Sequence, residues 1–428
     1  MRVVSNSQVP QTNDLPQNQN VRLCQCCELP VAVVGLDKGY SADCPRCGTQ
    51  LYRSEHHSIN GNLAIAITCL LLFIPSHYFD FITIRLVGVM IQGTLFEGVL
   101  ALSQEGYPGL ALLTLFCHTI APVAMCTAVL TTHLALRYHW FKTLKWSLSI
   151  LTHSKHWMML DVFLISIAIS CFKLQDYSDI YIGHALYSLV LLQGLSVLLV
   201  CRISVRRYWE AWKPENAYRS SVKEIHCHSC HLSQKEADRC VRCEAKLHHR
   251  KPYSLQKTWA YLIAASVAIL PANLIPISIL ITNGQRLEDT IFSGVASLIN
   301  NDMIGIAIII FVASIVVPVA KILGLGYLLF CIQFDKVNNH RFEMTIFRII
   351  KWIGKWSMTD LFVISIMLTL VDRGQILNFT PGFGAVAFGI VVIFTMFAAE
   401  SLDPRLLWDK KTASSSVLDT KTSISGNE

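Results

Sequence analysis

The run WMMLDVFLISIAI (157–169) returns later in the chain as WSMTDLFVISIML (356–368). Other pairs lie in the same order. IAITCLLLFIPSHYF (65–79) echoes VAILPANLIPI (267–277), TLFEGVLAL (94–102) echoes TIFSGVASL (290–298), and APVA (121–124) echoes VPVA (317–320). Pro75 and Pro271, Gly98 and Gly294, Pro122 and Pro318, and Trp212 and Trp408 are each 196 residues apart. Asp161 and Asp360 are 199 apart, a local shift of three. Motifs in constant register over a whole half-chain mean a tandem duplication. The 428 residues are therefore read as two copies of one module.

The module is a membrane module. Charged residues make up 15% of the chain and apolar residues 53%, where a soluble domain carries about 25% charge. The apolar excess sits in charge-free runs at 106–136, 180–201, 258–285 and 374–399. Each is longer than the roughly 20 residues that cross a bilayer. A soluble enzyme, a disordered chain and an outer-membrane barrel are excluded, the last because its strands alternate polar and apolar. Eight spans are predicted, at 60–79, 108–134, 157–173, 181–201, 258–280, 303–331, 356–371 and 381–400. The third and seventh are the shortest, and each begins beside an aspartate.

Of the 36 Lys and Arg, only Arg85, Lys173, Arg286, Arg373 and Lys321 fall outside the segments that this topology puts on one side. The positive-inside rule makes that side the cytoplasm. The net charge of +7 is thus a topology signal, with anionic lipid headgroups as the nearest partner and no nucleic acid expected. Residues 1–20 lack the apolar core of a signal peptide, so both termini are expected in the cytoplasm. The polar segments 1–20 and 412–428 are expected to be disordered.

The predicted fold is a polytopic α-helical membrane protein of two tandem parallel modules. Each has a cytoplasmic zinc ribbon, about four transmembrane helices and a short periplasmic excursion. The boundaries read 21–58 for ribbon 1, 59–213 for module 1, 220–253 for ribbon 2 and 254–411 for module 2. The excursions, about 80–107 and 281–302, hold β-formers such as FITIRLVGVMI and are expected to be short strands with a re-entrant or interfacial helix. Parallel repeats occur among transporters. A duplicated scaffold without transport is the plainer alternative.

Nine of the 15 cysteines cluster. Cys24, Cys27, Cys44 and Cys47 form one pair of CxxC knuckles, and Cys227, Cys230, Cys240 and Cys243 another. Four thiolates at such spacing close a tetrahedral zinc site with no position left for substrate. Two structural zinc ions are expected, and they supply most of the stability of ribbons too small to hold a core. The rival is a redox CxxC, which normally stands alone at a helix N-terminus. Cys26 is a spare thiol. The six remaining cysteines, in or beside spans, behave as small apolar residues.

Lys321 falls mid-span, where a lysine costs roughly 2.5–3.5 kcal/mol on insertion scales. Ser314, Pro318 and Lys321 share a helix face at α-helical spacing. Asp360 is the nearest intramembrane carboxylate, Ser357 precedes it, and Thr395 is within reach if the spans bundle. These five side chains other than Pro318 form the candidate pocket. Module 1 has Met125 in place of Lys321, while Asp161 matches Asp360. Asp161 and Asp360 are alternatively helix N-caps. Lys173 and Asp176 close the third span, lining a cavity mouth or simply solvated. His56-His57 and His248-His249 read as interfacial. There is no phosphate-binding G-x-x-x-x-G-K-[ST] and no H-E-x-x-H, and no catalytic set is nominated.

The two CxxC–CxxC ribbons, LPANLIPI (270–277), EDTIFSGV (288–295), WSMTDLFVI (356–364) and DPRLLWD (403–409) resemble the PqiA family of bacterial inner-membrane proteins. The likeness covers about residues 22–411. Module 1 departs from it with PSHYF (75–79) in place of the P-A-N-x-x-P form. The resemblance implies a non-enzymatic role beside an MCE-domain protein that forms a tunnel across the periplasm and moves lipid between the two membranes. It also implies that the polar pocket falls on Lys321, Asp360, Ser314, Ser357 and Thr395, with Lys173 and Asp176 as the periplasmic pair. Membrane phospholipid would be the cargo. A membrane-bound CxxC redox or stress protein, and a passive anchor for the tunnel, are the alternatives.

Overall fold

The computed structural model describes residues 2–3, 21–37, 39–54, 58–86, 89–174, 179–213, 224–282, 285–300, 302, 304–336, 339–371 and 377–409. Asp176, His56-His57, the tail from 410 and all of 1–20 except Arg2 and Val3 lie outside them. Arg2 and Val3, in the stretch read as disordered, pair in parallel with Tyr40 and Ser41.

Module 1 runs α1 (Ile59–Tyr78), α2 (Leu95–Gln104), α3 (Pro108–Leu115), α4 (Ala121–Tyr138), α5 (Phe141–Trp157), α6 (Leu160–Leu174), α7 (His184–Arg202) and α8 (Val205–Trp212). Module 2 runs α9 (Ser254–Leu274), α10 (Ile291–Asn300), α11 (Ile304–Phe311), α12 (Val317–Gln333), α13 (His340–Ile353), α14 (Thr359–Val371) and α15 (Phe383–Ser401). It ends in a short 3-10 turn, Pro404–Trp408.

Among the described residues, six helical stretches are long and apolar enough to cross a membrane: Ile59–Tyr78, Pro108–Tyr138, Phe141–Phe172, His184–Arg202, Ala307–Gln333 and Phe383–Ser401. At the fifth expected span stands α9, 21 residues long. It stops at Leu274 because Pro276 has no N–H to continue the ladder, and residues 278–280 of that span belong to a strand instead. At the seventh stands α14, 13 residues long and preceded by the 3-10 turn Gly354–Met358.

The duplication is visible in backbone detail. Between α3 and α4 a π-turn spans Phe116–Ile120, and between α11 and α12 another spans Val312–Val316, 196 residues on. In each, the closing N–H reaches back five residues, Ala121 to Phe116 and Val317 to Val312. A proline that cannot donate follows directly, Pro122 or Pro318. His139 and Asp335, also 196 apart, both take the left-handed conformation just past their helices, at φ 56° and 54°.

Each module carries a three-stranded antiparallel sheet. In module 1, Ile82–Leu86 lies between Val89–Gly93 and Asp179–Ile182. In module 2, Ser278–Thr282 lies between Gln285–Asp289 and Leu377–Pro381. The third strand arrives from beyond α6 or α14, so the sheet ties the start of the module to its last membrane helix. Gly183 and Gly382 make that join. A Cβ on Gly382 would lie 2.1 Å from the Pro276 carbonyl oxygen, and one on Gly183 2.2 Å from that of Asp80.

The modules meet at α14, which packs on α6, α2 and α3 of module 1. Phe163 and Phe362 are repeat equivalents, and their rings pack edge to face at 5.4 Å. The Ser166 hydroxyl donates to the Thr359 carbonyl at 3.1 Å.

The ribbons are crossed. Ribbon 1 precedes module 1 but docks on module 2. Arg341 donates to the carbonyls of Pro45 and Arg46, and Arg348 to those of Cys47 and Gly48 and to the Thr49 hydroxyl. Arg46 lies 4.3 Å over the Trp408 ring. The buried cysteines of ribbon 1 share a cluster with Leu325, Met344, Phe347 and Leu407. Those of ribbon 2 share one with Leu144, Leu151, Tyr208 and Trp209 of module 1. Between the ribbons, Glu28 pairs with Arg250 and Arg405, and Arg405 also binds Asp403 and His228.

Candidate functional site: two cysteine quartets and a buried lysine

All four CxxC knuckles have one backbone form. The residue after the second cysteine (Glu28, Gly48, His231 or Glu244) takes a positive φ of 55–67°. Its N–H donates to the carbonyl of the first cysteine, at 2.9 Å for Glu28 and 2.7 Å for Gly48. The turn aims both sulfurs to one side. Two knuckles then face each other, and the four Sγ atoms of each quartet lie within 4.8 Å of one another.

The near contacts cross from one knuckle to the other: Cys24 to Cys47 at 3.5 Å, Cys27 to Cys44 at 3.5 Å, Cys227 to Cys243 at 3.6 Å and Cys230 to Cys240 at 3.4 Å. A redox CxxC would join sulfurs within a knuckle. Tetrahedral ligation at about 2.3 Å per bond places sulfurs about 3.8 Å apart, so the quartets fit a metal ion of the zinc type. Hydrogen bonds within the quartet, that of Cys24 first, push the Cys27 thiol far up and hold Cys47 far down. Four thiolates so close need a shared cation.

The second site lies inside module 2. Lys321 on α12 is 2% exposed, and its Nζ has no hydrogen-bond partner among the described residues. Ser314, in the π-turn before α12, and Ser357, in the 3-10 turn before α14, are equally buried, and their hydroxyls are likewise unpartnered there. Both turns pack against α12 and against each other. Thr395 on α15 is fully buried and donates to the Val392 carbonyl. Asp360 is half-buried in the first turn of α14. Asp161 is exposed in the first turn of α6. The carboxylates thus stand where helix N-termini favour them. Lys173 lies in the last turn of α6.

Module 1 fills the equivalent positions differently. Met125 replaces Lys321, Met158 replaces Ser357 and His118 replaces Ser314, all buried. A hydrogen-bonded chain that the sequence reading missed runs through this region. His77 Nε2 lies 2.9 Å from the Thr119 hydroxyl, which lies 2.7 Å from His118 Nδ1. Ser76 Oγ is 3.0 Å from His77 Nδ1. His77 occupies the place of Asn273, so a comparison of the copies in both directions would have found it.

The sequence model of the family described as Paraquat-inducible protein A matches residues 59–213 and 255–412. The chain is 37% identical over 404 residues to Lipophilic envelope-spanning tunnel protein A of Escherichia coli (strain K12), covering 92% of each. It is 31% identical to a Probable intermembrane transport protein of Haemophilus influenzae, over 90% of this chain and 95% of that one. It is 31% identical to Intermembrane transport protein PqiA of E. coli (strain K12), over 92% of this chain and 96% of that one. No solved structure matches.

Proposed function

Because the chain belongs to the Paraquat-inducible protein A family, we propose that it is the inner-membrane subunit of an intermembrane lipid transport system, working beside a periplasm-spanning MCE-domain tunnel protein. It loads phospholipid into that tunnel or receives it. Both ribbons and both termini are cytoplasmic, and the two strand-bearing excursions face the periplasm and the tunnel. The quartets hold two structural zinc ions.

The observation that carries the reading is Lys321. An ammonium buried in a membrane helix is costly unless something pairs with it. Here it stands with two buried hydroxyls on touching turns, and none of the three has a partner among the described residues. A phosphate or carboxylate headgroup is the complementary chemistry. In this reading Lys321, Ser314, Ser357, Thr395 and Asp360 line the lipid site, with Lys173 and Asp176 toward its periplasmic mouth.

The test is photo-crosslinking. A benzophenone amino acid at position 357 should capture phospholipid, and the same group at 158, its copy in module 1, should not. Equal capture at both positions, or none at 357, would favour a passive anchor over a transporter. Sidedness has its own check. Reporter fusions at Asn216 and Ser414 should report cytoplasm and one at Gln375 periplasm, and any other pattern breaks the topology.

A further inference from the structure

A cavity of about 450 Å³ opens in module 1 where the start of α1, the end of α4 and the end of α8 converge. Asn60, His133, Arg137, His139 and Trp212 line it, with Ile59 and Leu136 as its apolar wall. No carboxylate is among the lining residues. Arg137 and His139 are exposed at the mouth, so the cavity is accessible. The Nδ1 of His133 is buried and has no partner among the described residues. His139 packs on Trp212 at 5.4 Å, and Ile59 and Asn60 are the first two residues of α1.

The level in the membrane is marked independently. Tyr138 and Trp140 stack at 5.3 Å and are 58% and 55% exposed beside the cavity. Trp146 on the adjoining α5 is 73% exposed. Such aromatics sit at headgroup depth.

The other copy shows that the fold does not require this lining. At the 196-residue offset, Leu329 replaces His133, Gln333 replaces Arg137 and Asp335 replaces His139. The π-turns and the left-handed residues 139 and 335 hold that register in space. Gln333 is used locally, accepting from the Trp259 indole at 3.0 Å, and Arg46 of ribbon 1 covers Trp408. At these three positions the basic residues therefore belong to module 1 alone.

We propose that this cavity binds the phosphate-bearing headgroup of an anionic phospholipid from the adjoining leaflet. Arg137 and the two imidazoles contact the phosphate, and Trp212 contacts the glycerol edge. Basic pockets between membrane helices on the cytoplasmic side recognise headgroups in this way. Only the choice of leaflet rests on the proposed topology.

The full-length protein in nanodiscs should retain phosphatidylglycerol over phosphatidylcholine, read by native mass spectrometry. Combining Arg137→Gln with His139→Asp, the residues of the other copy, should lower that retention by about tenfold. Arg137→Lys should keep most of it, and unchanged metal content marks a folded variant. Photo-crosslinking of phospholipid at position 357 should be unchanged in the double variant, which separates this cavity from the proposed lipid site. Soluble glycerol phosphate should compete poorly, because the acyl chains supply part of the affinity. Equal retention by wild type and the double variant would overturn the proposal. So would full displacement by glycerol phosphate, which would make the cavity a site for a free phosphate ester.

Discussion

Lys321→Met is expected to abolish envelope function while leaving protein level and metal content unchanged. The lysine opposes insertion by roughly 2.5–3.5 kcal/mol, so its removal should stabilise the helix in the bilayer. Met125, fully buried at the same place in module 1, shows that this helix environment packs a methionine. Loss of function would then have no folding explanation. The matched control is Met125→Leu, which conserves volume. Met125→Ala would not be silent, because emptying a fully buried site of this kind costs about 2–5 kcal/mol. The readout is complementation of a deletion strain under detergent stress, with protein level measured in parallel. Full complementation by Lys321→Met would remove the pocket assignment and leave the anchor reading.

Replacing Cys24 and Cys27 together by serine should halve the metal content, from about two ions per chain to about one. The loss should also be felt far from the cysteines in sequence. Structural zinc contributes roughly 10–16 kcal/mol to the folding of small Cys-ligated domains. Without it ribbon 1 has no core, and Arg341 and Arg348 lose the ordered carbonyls that they bind. Hydrogen exchange should therefore accelerate in α13 and at Pro404–Trp408, both in module 2. The matching pair Cys227→Ser and Cys230→Ser should instead loosen α5 and α8 in module 1. Elemental analysis and exchange mass spectrometry on the two variants check this. If exchange rose in the module adjacent in sequence, the crossed arrangement would be wrong. Iron in place of zinc, or disulfides without metal, would revive the redox reading.

The duplication and the cysteine quartets are legible in the sequence because both are patterns of identity at fixed spacing. Lys321 is legible because charge in an apolar run is conspicuous. What stays hidden depends on shape. The ribbons dock through arginine side chains on backbone carbonyls, and a carbonyl has no sequence signature. The π-turns leave the run of apolar residues unchanged, so a face drawn on 3.6-residue spacing through Ser314 and Lys321 passes over a wide turn. The third strand of each sheet comes from residues such as Asp179–Ile182, which read as the start of a membrane span. His77, Thr119 and His118 are 42 or fewer residues apart but on two helices, and nothing local announces that they meet.

The crossing also sets an order of events during synthesis. The contact from Arg348 to Cys47 spans 301 residues, and that from Arg405 to Glu28 spans 377. Ribbon 1 leaves the ribosome first and can take its metal at once, but its docking surface is among the last parts of the chain to be made. Throughout insertion it is a finished piece waiting for its seat, while ribbon 2 emerges beside helices already in place. The closing step is the arrival of Asp403–Asp409, which joins both ribbons through Arg405 and Arg250. A nascent chain stalled before that point carries every membrane helix and yet is still open on the side where its ribbons belong.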